Sequence, residues 1–110
     1  MANTFKVKTK LNTGISSGVS TIYTVPSSTT AVLVGLTLAN TSASAITATV
    51  TLTNNDGDNV TLLKDAPIPT GSSLEMMSGN KIVMEARDIL KAYSSAADTL
   101  DCTLSLMEIT

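Results

Sequence analysis

Apolar and polar side chains alternate with a period of two along most of this chain, a rhythm that predicts strands rather than helices. From Phe5 to Leu11 the order Phe, Lys, Val, Lys, Thr, Lys, Leu places Phe5, Val7 and Leu11 on one face and Lys6, Lys8 and Lys10 on the other, which reads as a half-buried strand with its lysines in solvent. A loop through Gly14 and Gly18 leads to a second strand over Val19 to Val25, stopped by Pro26, with Ile22 and Tyr23 expected on opposite faces. Ala31 to Asn40 is nearly continuous apolar sequence and reads as a central strand, with Val32, Val34, Leu36 and Leu38 on one side and Leu33 on the other. Ala45 to Thr53 alternates more cleanly: Ile46, Ala48, Val50 and Leu52 are expected inward, and a ladder of Thr47, Thr49, Thr51 and Thr53 outward, toward solvent or a partner.

Asn54-Asn55-Asp56-Gly57-Asp58 is a hairpin signal, because these residues tolerate the positive backbone angles of tight turns. A strand over Val60 to Lys64 follows, then an extended Pro67-Ile68-Pro69 connection and a turn at Thr70-Gly71-Ser72. Shorter strands are expected at Leu74 to Met77, Lys81 to Glu85 and Ile89 to Tyr93, and a last one at Asp101 to Ile109. One helical alternative exists over Met84 to Tyr93, where Met84, Ile89 and Leu90 could share a stripe. The predicted class is all-β: a two-sheet antiparallel β-sandwich, jelly-roll or immunoglobulin-like, of about eight strands. Residues 1–110 read as one such domain, with residues 1–12 an N-terminal arm or edge strand.

Composition sharpens this picture. Three aromatic residues, Phe5, Tyr23 and Tyr93, and no tryptophan mean that the core must be aliphatic, while abundant Thr and Val favour pleated structure. Net charge is −2, too mild to argue for nucleic acid or an anionic membrane as partner, and no window is apolar enough for a membrane span. The start, Met1 to Lys6, lacks the long apolar stretch that a secretion leader carries, so synthesis in a bacterial cytoplasm is expected. The charge is uneven: three lysines crowd the first strand, and the body is acidic. Cys102 lies in an alternating segment and reads as a small buried hydrophobe.

Candidate chemistry is sparse. The chain has no histidine, which removes Ser-His-Asp and Cys-His constellations and most zinc sites. Glu75 with Glu85 could in principle flank a glycosidic bond, but nine acids always offer some pair. With Gly57 at the sixth position of a calcium loop, Leu52 and Leu63 would occupy the first and twelfth, so that motif fails. Gly14, Gly18 and Gly35 form no phosphate loop. No catalytic, cofactor or metal residue is therefore assigned. Met76, Met77, Met84 and Met107 read as gap fillers in a core short of aromatics, with an adaptable binding surface as the alternative. The lysines of the first strand read either as charge guarding a sheet edge or as the basic face of an arm that meets a neighbouring subunit; either way Phe5 and Val7 are expected to anchor the strand. Phe5, Lys6, Val7, Lys8 and Lys10 are the candidate interface.

Met1-Ala2-Asn3-Thr4-Phe5-Lys6, Ile22-Tyr23-Thr24-Val25-Pro26, Ala31-Val32-Leu33-Val34 with Asn40, Pro67 to Glu75, Lys81 to Glu85 and Asp88-Ile89-Leu90 together resemble small virion structural proteins of tailed bacteriophages, cyanophages among them. The resemblance spans nearly the whole chain and rests on turn and strand positions that set a fold more than a task. It implies a non-enzymatic capsid decoration or cement protein in the virion. Its implied partners are the major capsid protein or other virion subunits, in a homo-oligomer or many copies per particle. A tail, neck or baseplate accessory protein is the alternative, and a receptor- or glycan-binding module using exposed loop Ser and Thr a second.

Overall fold

A computed structural model describes residues 3–13, 20–76, 81–96 and 99–110, with side chains at 3–9 and from 21 onward in those segments. Nine strands are seen among them: β1 (Asn3–Thr13), β2 (Ser20–Thr24), β3 (Thr30–Asn40), β4 (Ile46–Thr53), β5 (Asn59–Ile68), β6 (Ser73–Glu75), β7 (Ile82–Met84), β8 (Ile89–Ser94) and β9 (Leu100–Ile109). No helix forms at Met84 to Tyr93, where the chain turns between β7 and β8 with Arg87 at φ 72°. The expectations at Val19, Leu11 and Met77 concern side chains outside the described ones.

The pairing is nested. β1 runs antiparallel to β9, β2 to β8, β3 to β6 and β7, and β4 to β5, so the chain is a long ribbon whose first half lies along its second. Successive pairs alternate between sheets, giving the order β1-β9-β3-β6, with β7 also on β3, in one sheet and β2-β8-β4-β5 in the other. This is the jelly-roll order, not the immunoglobulin one; β6 and β7 lie against opposite ends of β3 and share one strand position. The ribbon turns back at Asn54 to Asp58 as its composition predicts. Asn54 Oδ1 accepts the Asp56 and Asp58 N–H groups, both at 2.9 Å, and Gly57 sits at φ 91°.

Between the sheets lies the expected aliphatic core. Leu33, Leu36, Leu38, Leu104 and Leu106 from one sheet meet Val50, Ile46, Leu90 and Ala92 from the other, all buried, with Met84 filling a gap and the Cys102 thiol buried beside them. Polar hubs tie its corners. The buried Asn40 carboxamide donates to the carbonyls of Ser44, Ile68 and Pro69 at 2.9, 3.0 and 3.2 Å and accepts from Ser42 N–H and hydroxyl. Asp88 accepts the N–H groups of Asn55 and Glu85, joining two turns at the other end of the molecule.

Three sequence expectations change at bulges and edges. In β3 the register slips between Leu33 and Gly35, so Leu33 and Ala31 face inward with Leu36 and Leu38, while Val32 and Val34 face outward. The slip frees the Leu36 N–H, which donates to Glu75 Oε2 at 2.9 Å. Thr37 donates its hydroxyl to Glu75 Oε1 at 2.7 Å, and a side chain on Gly35 would begin 3.2 Å from that carboxylate. In β2 a slip between Thr21 and Tyr23 buries Ile22 and Tyr23 together instead of opposing them.

The third change concerns β1, an edge strand whose faces are reversed. Lys6 stands opposite Leu106 and Lys8 opposite Leu104, both buried, so the lysines share the inner face of the sheet while Phe5 and Val7 lie outside, 78% and 60% exposed. Alternation alone gives two faces without saying which is inward. The edge settles it, because a lysine there can lie over apolar surface and still reach an anion or water. Lys6 Nζ is 2.9 Å from Glu108 Oε1, and Tyr23 donates its hydroxyl to Glu108 Oε2, closing the mouth between β1 and β2. Inward charge on an edge strand also discourages a further strand from adding there.

Candidate docking face

The outer face of the first sheet carries a row of apolar side chains across four strands. Phe5 of β1 faces Met107 of β9, Met107 faces Val32 of β3, and Val32 faces Val83 of β7. Phe5 and Val83 are exposed and Met107 and Val32 half-buried. In the next row Val7 faces Ser105, which faces Gly35 beside the outward Val34. Because Ser105 is small, Phe5, Val7 and Val34 stand around it as the walls of an open groove of about 300 Å³. Monomeric proteins seldom leave such a contiguous patch open.

Of the five residues proposed from sequence, Phe5 and Val7 lie on this face. Lys6 and Lys8 lie on the opposite face of the same strand, with Lys6 held by Glu108. Lys10 stands in register with Cys102, its side chain outside the described ones. The structure thus divides the basic-arm reading: the apolar half of β1 is presented outward and the described basic half is turned to the sandwich mouth. Val32, Val34 and Val83 were not assigned to a surface from sequence, and Met107 only as the alternative to a core gap filler. The signal for Val83 was available: in the run Ile82-Val83-Met84 a strand must turn one apolar residue outward. Val34 needed knowledge of the bulge.

Glu108 is nearly inaccessible yet charged. Hydrogen bonds from Tyr23 and then Lys6 hold its carboxyl below the usual carboxylate range, against the opposing effect of burial. Burial, and then the hydrogen bond to Glu108, push the Tyr23 phenol well above its ordinary value. Glu75, by contrast, is occupied with the β3 bulge and lies apart from any general-acid partner in the bonds it makes. Among the described residues no group of three or more acidic, Cys or His side chains could hold a metal.

No family model matches the sequence, and no curated protein matches it. Solved structures do match. A chain from the T13 viral particle of infectious bursal disease virus, in a study of icosahedral virus evolution, superposes with a TM-score of 0.57 at 14% identity, covering 96% of this chain and 30% of that one. The same virus in its Gx strain gives 0.55 at 15% identity, over 96% and 33%. Its VP2 subviral particle gives 0.54 at 12% identity, over 96% and 32%. This chain therefore has the fold of a segment of virus-particle proteins and spans about a third of their length. At such identity the likeness is one of fold.

Proposed function

We propose that this protein is a non-enzymatic structural component of a tailed-phage virion. Its role is that of a capsid decoration or cement subunit docking on the shell through the outer face of its first sheet. The observation that carries the reading is the Phe5–Met107–Val32–Val83 row on a jelly roll whose structural neighbours come from virus particles. The occupant fits an apolar surface of shell subunits, since the row and the groove walls expose Phe5, Val7, Val34 and Val83, with charge only at the margin, from Lys6 and from the Glu75 carboxylate at the β3 bulge. An apolar side chain from the shell would seat in the groove over Ser105. Burying an exposed Phe or Val is worth about 1.5–3 kcal/mol each before the cost of association, so four such residues suffice for docking on a multivalent lattice.

Counting copies in purified virions by quantitative gel densitometry tests the assignment. Hundreds of copies per particle are expected. A copy number matching a few rings would move the protein to the tail or neck, and its absence from particles would end the virion reading. Val83→Asp in otherwise folded protein is expected to lower shell occupancy at least roughly tenfold, as a desolvated carboxylate in an apolar contact demands. Unchanged occupancy would remove this face as the docking surface. Should the purified chain instead dimerise through the face, with dimerisation lost in Val83→Asp, the occupant would be a second copy.

A further inference from the structure

The opposite sheet holds a second concavity. The threonine ladder of β4 does not lie open to solvent as its alternation suggests: Thr49 and Thr51 are 3% and 6% exposed. They form the floor of a cleft of about 290 Å³, walled by Lys91 and Tyr93 of β8 and by Asn59, Thr61 and Lys64 of β5. Strand register builds it. Lys91, Thr51 and Thr61 stand in one row, and Tyr93 stands opposite Thr49. On the β5 side of Thr49 the pairing slips between Ala48 and Val50, so that Lys64 and Asp65 face it as an extra pair, with Asp65 at φ 48°. Asp65 N–H donates to the Thr49 hydroxyl at 3.1 Å, and that hydroxyl lies 3.5 Å from Asp65 Oδ1.

Two features of the cleft point to a ligand. Thr51 is nine-tenths buried as a residue, and among the described residues its hydroxyl makes no side-chain hydrogen bond, unlike those of Thr49, Thr53 and Thr37. A buried hydroxyl without a partner is costly, and one that lines a cleft is satisfied when the cleft is filled. Among the described residues neither Lys64 nor Lys91 has a carboxylate within 4 Å, the one ion pair there being that of Lys6 with Glu108. In an acidic protein two cations without an ion pair among the described residues thus flank a cleft lined by hydroxyls, an amide and a phenol, with the Asp65 carboxylate at its Thr49 end.

We infer that this cleft binds a monosaccharide-sized ligand bearing a carboxylate, an acidic sugar. The two ammonium groups suit one carboxylate, and the Thr51 and Thr61 hydroxyls with the Asn59 amide can both give and take hydrogen bonds, as sugar hydroxyls require. Tyr93 supplies apolar surface with a polar tip. The volume exceeds what a single inorganic ion would occupy, and it stands at the lower end of small-molecule sites. The site lies on the sheet facing away from the docking face, so a subunit seated by its first sheet would present it outward.

Titration of the full chain with glucuronate, glucose, acetate and a capped aspartate peptide, followed by amide chemical shifts, tests this. Glucuronate is expected to shift the amides of β4, β5 and β8 at millimolar concentration, with glucose and acetate each roughly tenfold weaker because each supplies half of the contacts. Added salt should weaken glucuronate binding. Thr51→Val is expected to keep or raise the melting temperature while weakening glucuronate by roughly tenfold, and Lys64→Gln with Lys91→Gln should abolish the discrimination against glucose. Binding of acetate or the peptide as tight as glucuronate would replace the sugar site by a bare anion or protein contact. No glucuronate shift, or a Thr51→Val variant that binds normally, would overturn it.

Discussion

Asn40→Leu is expected to lower the unfolding free energy by about 2–4 kcal/mol, on the scale of orphaned buried hydrogen-bonding groups, while keeping the branching and heavy-atom count of the side chain. The carboxamide satisfies the carbonyls of Ser44, Ile68 and Pro69 and holds the Ser42 N–H, so one substitution leaves groups from two separate turns without partners. The Ile68 carbonyl lies in the buried part of that network and has least access to replacement water. The melting temperature should fall by on the order of 10–20 °C for a domain of this size. Thr53→Ala, which removes an exposed hydroxyl bonded to Asn59, is the control and should change stability by less than about 0.5 kcal/mol. A loss below about 1 kcal/mol in Asn40→Leu would show that this corner is not held by the amide.

Tyr23→Phe is expected to cost about 1.5–3 kcal/mol at neutral pH, the range for hydrogen bonds to charged groups, and its cost should depend on pH at both ends. Glu108 has a lowered pKa when folded, so the unfolded chain takes up its proton first as pH falls below the ordinary 4.5. The stability it contributes is present above that value and disappears as pH drops through the lowered folded value. Tyr23 is its principal hydrogen-bond partner, so the variant forfeits most of this contribution and should converge with the parent in acid. Tyr23 itself is raised from 10.0, so above pH 10 the unfolded chain ionises while the folded one does not, and the parent loses stability with rising pH. Phenylalanine has no such loss. Denaturant melts at pH 3, 7 and 11 should therefore show the largest gap at pH 7; a gap independent of pH would mean that the phenol and carboxylate do not interact.

Much of the fold was legible because alternation and turn chemistry act locally. The hairpin at Asn54 to Asp58, the strand ends at Pro26 and Gly71, and the aliphatic core follow from residues a few positions apart. Facing did not follow in β1, β2 and β3, nor cover in β4, and the reasons are non-local. Val34 turns outward because Glu75, far along the chain, holds the displaced Leu36 N–H. Phe5 turns outward because β9 sets the register of β1. Thr49 and Thr51 are covered because β5 and β8 both bulk up around a central strand, which alternation within β4 cannot reveal. Phe5 and Val7 were read from sequence as the anchoring side of β1; that they face outward, in one array with residues of β3, β7 and β9, emerges only once the sheet is assembled.

The nested ribbon has a kinetic consequence. Asn3 pairs with Ile109, so the first strand has no hydrogen-bonding partner in its own sheet until β9 has been synthesised, whereas β4 and β5 can meet across a short turn. Closing loops in that order, shortest first, minimises the entropy lost at each step and makes maturation proceed from the middle of the chain toward its ends. Phe5 and Val7 would thus reach their final array at the last stage, once β9 is in place.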